Sequence, residues 1–277
     1  MTWGIVKILV VNLHLDLMPA ALPPPPKGRE VDRREDLLAW NREYREKGRV
    51  WRGAAAKLPD LPAGSRVLEL GCGNGKTLAA MLRRSWRIAA LDISTLALRL
   101  GRDLAEEAFC RRDPDRRDPS TTFGPPAPLE PPSRRESSNH RHHPVGPDFV
   151  AADAVQLPFR ERAFDAFIAF HVLGHLREGD RRRAAGEAAR VLKAGGRLFF
   201  LEFGVDDMRA GKGEEVEEMT FRRGGGVTTH YFSEGEVIEL LDILRLASIR
   251  TDRRLTRIRG VDHHRSEVAA EFIKLDD

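Results

Sequence analysis

The most constraining stretch of this chain is Glu69-Leu70-Gly71-Cys72-Gly73-Asn74-Gly75, set between the apolar run Val67–Leu70 and a helical pattern over Lys76–Arg84. Glycines at alternate positions let the backbone take torsions closed to other residues and let a ligand lie against bare main chain. A helix that starts immediately afterwards aims its free N–H groups and positive dipole end at that place. Strand, glycine-rich turn and helix in that order open a parallel βαβ unit, so the chain is read as α/β. The spacing is Gly-x-Gly-x-Gly, whereas a dinucleotide fingerprint needs Gly-x-Gly-x-x-Gly, and Lys76 stands at the sixth position. Glu69 would repel a pyrophosphate and suits a ligand that carries an ammonium group.

The alternation continues downstream. Arg87–Asp92 predicts a second strand and Thr95–Phe109 its helix. Asp148–Ala151 and Phe164–Phe170 read as further strands, the latter followed by a helix over Asp180–Leu192. Gly195-Gly196 turns into a fifth strand, Arg197–Phe203. Residues 204–230 are glycine-rich and charged, which suggests a mobile active-site segment. Ser233 is placed to cap a helix through Leu246, with Glu236 completing a capping box, and Ile249–Ile258 with Glu267–Leu275 predict a closing hairpin.

Ahead of this core, residues 30–48 read as an amphipathic helix carrying Val31, Leu37, Leu38, Trp40 and Tyr44. Residues 1–29 read as a flexible tail. Its apolar run Ile5–Val11 is interrupted by Lys7, too short to span a bilayer, and followed by the polyproline stretch Pro23–Pro26. Met18 just before those prolines makes residues 1–17 a candidate upstream extension. The rest, 30–277, is expected to be one domain. It carries an insertion at 111–147 that holds nine of the seventeen prolines and no apolar periodicity, which predicts disorder. Three histidines there (His140, His142, His143) lack thiols or carboxylates at ligand spacing, so no metal site is assigned.

Composition narrows the class. Hydrophobic residues at 41% and charged residues at 32% exclude a collagen-like, wholly disordered or multi-span membrane chain. A net charge of +4 is too mild to argue nucleic-acid binding by itself, and only eight of the 46 basic residues are Lys, an arginine bias that GC-rich coding also produces. Cys72 and Cys110 cannot form a disulfide framework, so a reducing cytoplasm is the expected compartment.

Two acids join the glycine loop at strand ends. Asp92 closes the second strand, where a carboxylate can accept both hydroxyls of a ribose. Asp153, in Ala152-Asp153-Ala154 ahead of Leu157-Pro158-Phe159, can meet an adenine amino group in an apolar slot. An acid at a strand end is also a common helix cap, so it is the ordered set that points to a ligand.

That set resembles the class I S-adenosylmethionine-dependent methyltransferases. The resemblance rests on Val67–Gly75, Leu91-Asp92-Ile93-Ser94, Ala151–Phe159, Phe164–Leu176 and Arg190–Gly196, and covers about residues 60–110 and 148–203. It implies a Rossmann-like sandwich around a mostly parallel seven-stranded sheet with the last strand antiparallel. The implied cofactor is S-adenosyl-L-methionine, released as S-adenosyl-L-homocysteine. The residues implied to bind it are Glu69, Gly71, Cys72, Gly73, Asn74, Gly75, Asp92, Ile93, Asp153, Ala154 and Phe170. Glu69 and the glycines would take the methionine end, Asp92 the ribose and Asp153 the adenine, with Phe170 packed nearby.

Methyl transfer from a sulfonium is an in-line displacement, so positioning supplies most of the catalysis and a base helps only where the acceptor holds a proton. His171, His175 and the pair His230-Tyr231 are the candidates for that work, and Cys72 is read as packing. The Asn/Asp-Pro-Pro-aromatic signature of amino-methylating adenine enzymes is absent, since that place reads Phe170-His171-Val172-Leu173. Trp51-Arg52-Gly53 could close over the methionine end. A small-molecule acceptor is expected first. RNA is the second expectation, because Arg245, Arg250, Arg253, Arg254, Arg257, Arg259 and Arg265 crowd the closing hairpin and Gly71–Lys76 resembles the loop of tRNA wobble-uridine methyltransferases. A non-catalytic cofactor-binding module and a nicotinamide oxidoreductase complete the alternatives.

Overall fold

Strands covered on both faces need nearly continuous apolar runs, whereas a strand covered on one face needs only alternation. Both patterns occur in this chain, and they divide its sheet. The structure, a computed structural model, describes residues 29–48, 55–110 and 146–276. The elements of the first half are α1 (Arg29–Lys47), β1 (Arg66–Leu70), α2 (Lys76–Met81), β2 (Arg87–Asp92), α3 (Thr95–Cys110), β3 (Asp148–Ala151) and β4 (Phe164–Phe170). A turn of 3-10 helix at Leu173–His175 leads to α4 (Glu178–Val191) and β5 (Leu192–Phe203). Then come β6 (Glu214–Glu217), β7 (Thr220–Arg222), β8 (Thr228–His230), α5 (Glu234–Leu240), β9 (Arg245–Ile258) and β10 (Val261–Ile273).

Seven strands form one sheet in the order β3-β2-β1-β4-β5-β10-β9. β1 to β5 pair in parallel, and β10 runs antiparallel to both of its neighbours. Leu68, Leu70, Leu91, Phe167 and Phe200 face α4 and α5, while Val67, Ile88, Ala90 and Ile168 face α2 and α3. Each fully buried Leu, Ile or Phe of these clusters contributes about 1.5–3 kcal/mol. The chain runs outward from β1 to β3 and returns to β4 on the other flank. That reversal places a crevice outside the carboxyl ends of β1 and β4.

β10 pairs with β5 only over Glu267–Ile273, so Val261–Ser266 and their partners Arg253–Ile258 run on beyond the end of β5. Six residue pairs make an arm about 20 Å long on the carboxyl side of the sheet.

Several expectations need correction. Residues 204–230 contain β6, β7 and β8, which form a second, three-stranded sheet with Phe203, Phe221 and Tyr231 packed together. The last helix stops at Leu240, not Leu246. Ser233 caps it by accepting from the Glu236 N–H at 3.2 Å, but the Glu236 carboxylate lies 2.7 Å from His230 Nε2 and does not close a box. The hairpin strands begin earlier than predicted, at Arg245 and Val261. The expectations for 1–28, for Trp51-Arg52-Gly53 and for 111–145 lie outside the described residues.

Candidate active site

Gly71, Gly73 and Gly75 have φ of +64°, +53° and +83°, so the loop after β1 takes the left-handed turns its glycines allow. Gly71 is irreplaceable for a second reason: a Cβ there would lie 2.6 Å from Val172 Cγ2, on the segment after β4. Two loops that carry site residues thus cross in contact.

The Asp92 carboxylate accepts from the Gly73 N–H at 2.9 Å through one oxygen and from the Ser94 N–H at 2.8 Å through the other. Each oxygen keeps a lone pair for a further donor. Burial raises the Asp92 pKa to about 6, and the backbone donors work against that rise. Glu69 is pushed further, to about 8, by burial and by the nearby Asp92 charge. Its Oε2 is buried with no hydrogen-bond partner. A buried carboxyl in that state suits a cationic group, and the ammonium of S-adenosylmethionine has that chemistry.

One cleft lies over these elements. Along the sheet edge Asp92, Ile93, Asp153 and Ala154, after β2 and β3, line one end, His171 and His175, after β4, line the other, and Gly71 and Val172 meet between them. Asp36, Trp40 and Tyr44 of α1 form the opposite wall. Glu69, Cys72, Gly73, Asn74 and Gly75 belong to the same loop but are not lining residues, and Phe170 packs into the cluster on the α2/α3 face. Burial drives the Cys72 thiol well above its ordinary pKa, which leaves it a packing group.

His171 sits just past β4 with φ of +55°, and its N–H donates to Leu201 O at 2.7 Å. Its ring stacks on Phe203 at 4.3 Å between centroids. Nδ1 lies 3.9 Å from Glu202 Oε2 and Nε2 lies 3.6 Å from Glu267 Oε1. Burial, then the nearby His175, Lys76, Arg209 and Arg265, lower its pKa to about 3, so the ring is neutral at ordinary pH. His175 donates from Nδ1 to Thr228 O at 2.6 Å, because a carbonyl only accepts, and meets the Trp40 ring edge-on at 4.8 Å. Burial lowers its pKa to about 4.

The structure does not bring His230 and Tyr231 to this cleft. His230 Nδ1 is 2.8 Å from Thr220 Oγ1, its Nε2 faces Glu236, and its ring meets Phe232 edge-on. Tyr231 is fully buried beside Phe203 and Phe221, its hydroxyl accepting from Arg223 at 2.6 Å. Both hold the small sheet together.

One residue was not singled out from the sequence. Glu202, buried near the end of β5, accepts from the backbone N–H of Val172 at 2.7 Å and of Gly174 at 3.0 Å, and so holds the segment that carries both cleft histidines. Burial raises its pKa to about 8. A lone Glu inside Leu198–Phe203 was its only trace. The hairpin arginines proved mostly paired: Arg250 with Asp252, Arg253 with Asp206, Arg254 with Glu267, Arg257 with Asp262 and Arg265 with Asp207. Among the described residues no group of three or more His, Cys, Asp or Glu could hold a metal ion, and no helix is long and apolar enough to cross a membrane.

A strand-end glycine loop, a ribose-type acid and a cleft at the switch point define a nucleoside-cofactor site on a doubly wound sheet. A family model described as a methyltransferase domain matches residues 41–243, and the chain belongs to that family. It is 30% identical over 155 residues to the demethylmenaquinone methyltransferase of Thermobifida fusca, which is 56% of this chain and 50% of that one. It is 32% identical over 147 residues to the tRNA (carboxymethyluridine(34)-5-O)-methyltransferase of Arabidopsis thaliana, which is 53% of this chain and 26% of that one. The chain therefore spans half the length, or less, of these two relatives. A SAM-dependent methyltransferase of Methanosarcina mazei shares the fold with a TM-score of 0.54 at 22% identity, covering 78% of this chain and 95% of that one.

Proposed function

We propose that this chain is an S-adenosylmethionine-dependent methyltransferase acting on a small molecule. The observation that carries this is the cleft running from Asp92 to His171, lined also by Trp40 and Tyr44 of α1. Its acidic end suits the donor and its histidine end suits an acceptor. Glu69 would hold the donor's ammonium, Asp92 its ribose hydroxyls and Asp153 its adenine. When bound, the donor supplies a methyl group activated by a positive sulfur.

The chain's own residues would position the acceptor. Trp40 and His175 form an edge-on aromatic wall, and Glu202 fixes the segment on which His171 and His175 sit. His171 is neutral near pH 7, and with its pKa lowered to about 3 it is a weak base, so it would orient an O–H or N–H acceptor by accepting its hydrogen bond rather than by taking the proton. Its Nδ1 is buried, so Nε2 is the nitrogen that does so.

A second reading, methylation of tRNA, is favoured by the arm that extends past β5 on the cleft side and by the relative that modifies tRNA. The pairing of most of the arm's arginines with carboxylates weakens it. Calorimetric titration with S-adenosylhomocysteine tests the cofactor assignment: micromolar binding is expected, and its absence in folded protein overturns it. Labelled-methyl transfer to a cell extract split into small-molecule, RNA and protein fractions tests the acceptor. Label in the small-molecule fraction is expected, and label confined to RNA selects the second reading.

A further inference from the structure

Beyond His171 the sheet edge carries a group of cations with no role in holding the cofactor. β2, β1, β4, β5 and β10 bring Asp92, Gly71, His171, Phe203 and Arg265 into succession along the carboxyl edge, each strand about 4.8 Å from the next. Phe203 is the hinge of this arrangement. One contact of its ring is the stacked imidazole of His171, which lines the cleft. Others are the guanidiniums of Arg209 and Arg265, whose Cζ atoms lie 3.7 Å and 5.5 Å from its centroid.

Asp207 orients both guanidiniums. Its side chain is fully buried, and it accepts from Arg209 Nε at 2.8 Å and from Arg265 Nε at 2.7 Å. The Ser266 N–H, at 3.3 Å, ties the same carboxylate to β10. A guanidinium has five N–H donors in a rigid fork, and engagement through Nε leaves outer donors on each arginine. The Arg209 and Arg265 side chains remain 22% and 20% exposed, and Arg209 Nη2 also lies 3.5 Å from Asp207 Oδ2. Arg223 adds a third charge beside them, donating to Tyr231 Oη at 2.6 Å and to Arg209 O at 3.4 Å. Two guanidiniums thus share one buried carboxylate, with a third beside them. Other acids nearby are engaged elsewhere: Glu267 pairs with Arg254 through Oε2, while its Oε1 faces His171 Nε2 at 3.6 Å, Asp206 pairs with Arg253, and Glu202 is buried on backbone donors.

We propose that Arg209 and Arg265 form an anion seat and that the acceptor bears a carboxylate or phosphate group bound there, next to the His171 that faces its reacting atom. This rests on the methyltransferase reading of the cleft. The seat fits planar or tetrahedral oxyanions, since two forks held by one carboxylate present several N–H groups toward the same side. The aromatic platform of Phe203 keeps the arginines extended and dry on one face.

The test uses full-length protein saturated with S-adenosylhomocysteine, whose binding shows that wild type and variants are folded. The His171 ring resonance, assigned by its loss in His171→Asn, is followed by NMR during separate titrations with sodium acetate and sodium phosphate at constant ionic strength in chloride. A saturable shift is expected with at least one anion, and the responding anion assigns the class. Arg265→Gln and Arg209→Gln should each weaken that response at least tenfold while leaving S-adenosylhomocysteine affinity within about twofold. No saturable shift with either anion, or an unchanged shift in both variants, overturns the proposal. A second arm passes the small-molecule fraction of an extract over an anion exchanger before the labelled-methyl assay. Acceptor in the retained pool is expected. Acceptor only in the unretained pool overturns the anion seat but leaves the methyltransferase reading standing, whereas failure to bind S-adenosylhomocysteine removes that reading itself.

Discussion

The two ends of the cleft are built by opposite rules. At the β1–β2 end the proposed groups are carboxyls: Asp92, which accepts from the backbone N–H groups of Gly73 and Ser94, and Glu69, whose Oε2 is buried without a partner. At the β4–β5–β10 end the working groups are histidines kept neutral and arginines gathered around one aspartate. The first end comes from two short segments, 69–75 and 92–94. The second is lined by α1 and the segment after β4, with the end of β5 and the base of the arm packed behind His171 through Phe203. On the proposed reading, a donor that carries positive charge and an acceptor that carries negative charge would be kept at separate ends of one crevice. The same separation should let each end be damaged without the other.

The largest expected effect is on turnover. His171→Asn, which tolerates the positive φ, should lower kcat by about 10²-fold, the scale of a lost positioning contact, with S-adenosylhomocysteine affinity nearly unchanged. His230→Gln should do the reverse, lowering the melting temperature by a few degrees and leaving kcat within about twofold, because His230 lies outside the cleft. Steady-state kinetics beside thermal denaturation separates the two, and a large kcat loss in His230→Gln would show that the small sheet reaches the chemistry.

Next comes the donor end. Asp92→Ala should weaken S-adenosylhomocysteine by about 1–3 kcal/mol, roughly 5- to 150-fold in Kd, with KM for the acceptor little changed. Calorimetry would break the comparison if Asp92→Ala and Arg265→Gln lowered cofactor affinity alike.

Glu69→Gln should weaken S-adenosylhomocysteine by about tenfold at pH 8 and yet raise the melting temperature of the free protein there. The sign follows from its raised pKa: Glu69 contributes stability below its unfolded value of 4.5, and that contribution is lost as pH rises through about 8. Gln abolishes that loss along with the ammonium's partner. A variant that destabilised the free protein at pH 8 would contradict the assigned burial.

The smallest effect is the pH profile of the free wild type. Between pH 6.5 and 8 the melting temperature should fall, because Glu69 and Glu202 are both raised to about 8. His171 and His175, lowered to about 3 and 4, act only below 6.5, where falling pH removes stability. S-adenosylhomocysteine should flatten the alkaline limb at Glu69, and Glu202→Gln should flatten it further from the other end of the cleft. A profile level from pH 6.5 to 8 would contradict both assignments.

What could be read from residues alone tracks these two ends. β2, β3 and β4 fall on the residues expected for them, because strands buried on both faces leave unbroken apolar runs. The closing helix was overextended to Leu246 because Leu241, Leu244 and Leu246 continue its apolar spacing, but Arg245 and Leu246 pair with Ile273 and Phe272 of β10. A sheet partner outweighed local periodicity. The charged strand β6 and the short strand β7 carry no apolar run, so 204–230 looked like loop until their pairing was seen.

The sequence by itself determined the parallel α/β core and the donor end. Both are written in contiguous segments, where torsional freedom, period and charge act over a few residues. Only the tertiary structure decided the acceptor end. Arg265 and Asp207 meet across 58 positions, and Glu202 meets Val172 across 30. It also placed His230 and Tyr231 outside the lining of that cleft and set most of the hairpin arginines against carboxylates. Contacts at that range depend on which strands adjoin along the sheet edge, and no local pattern encodes that order.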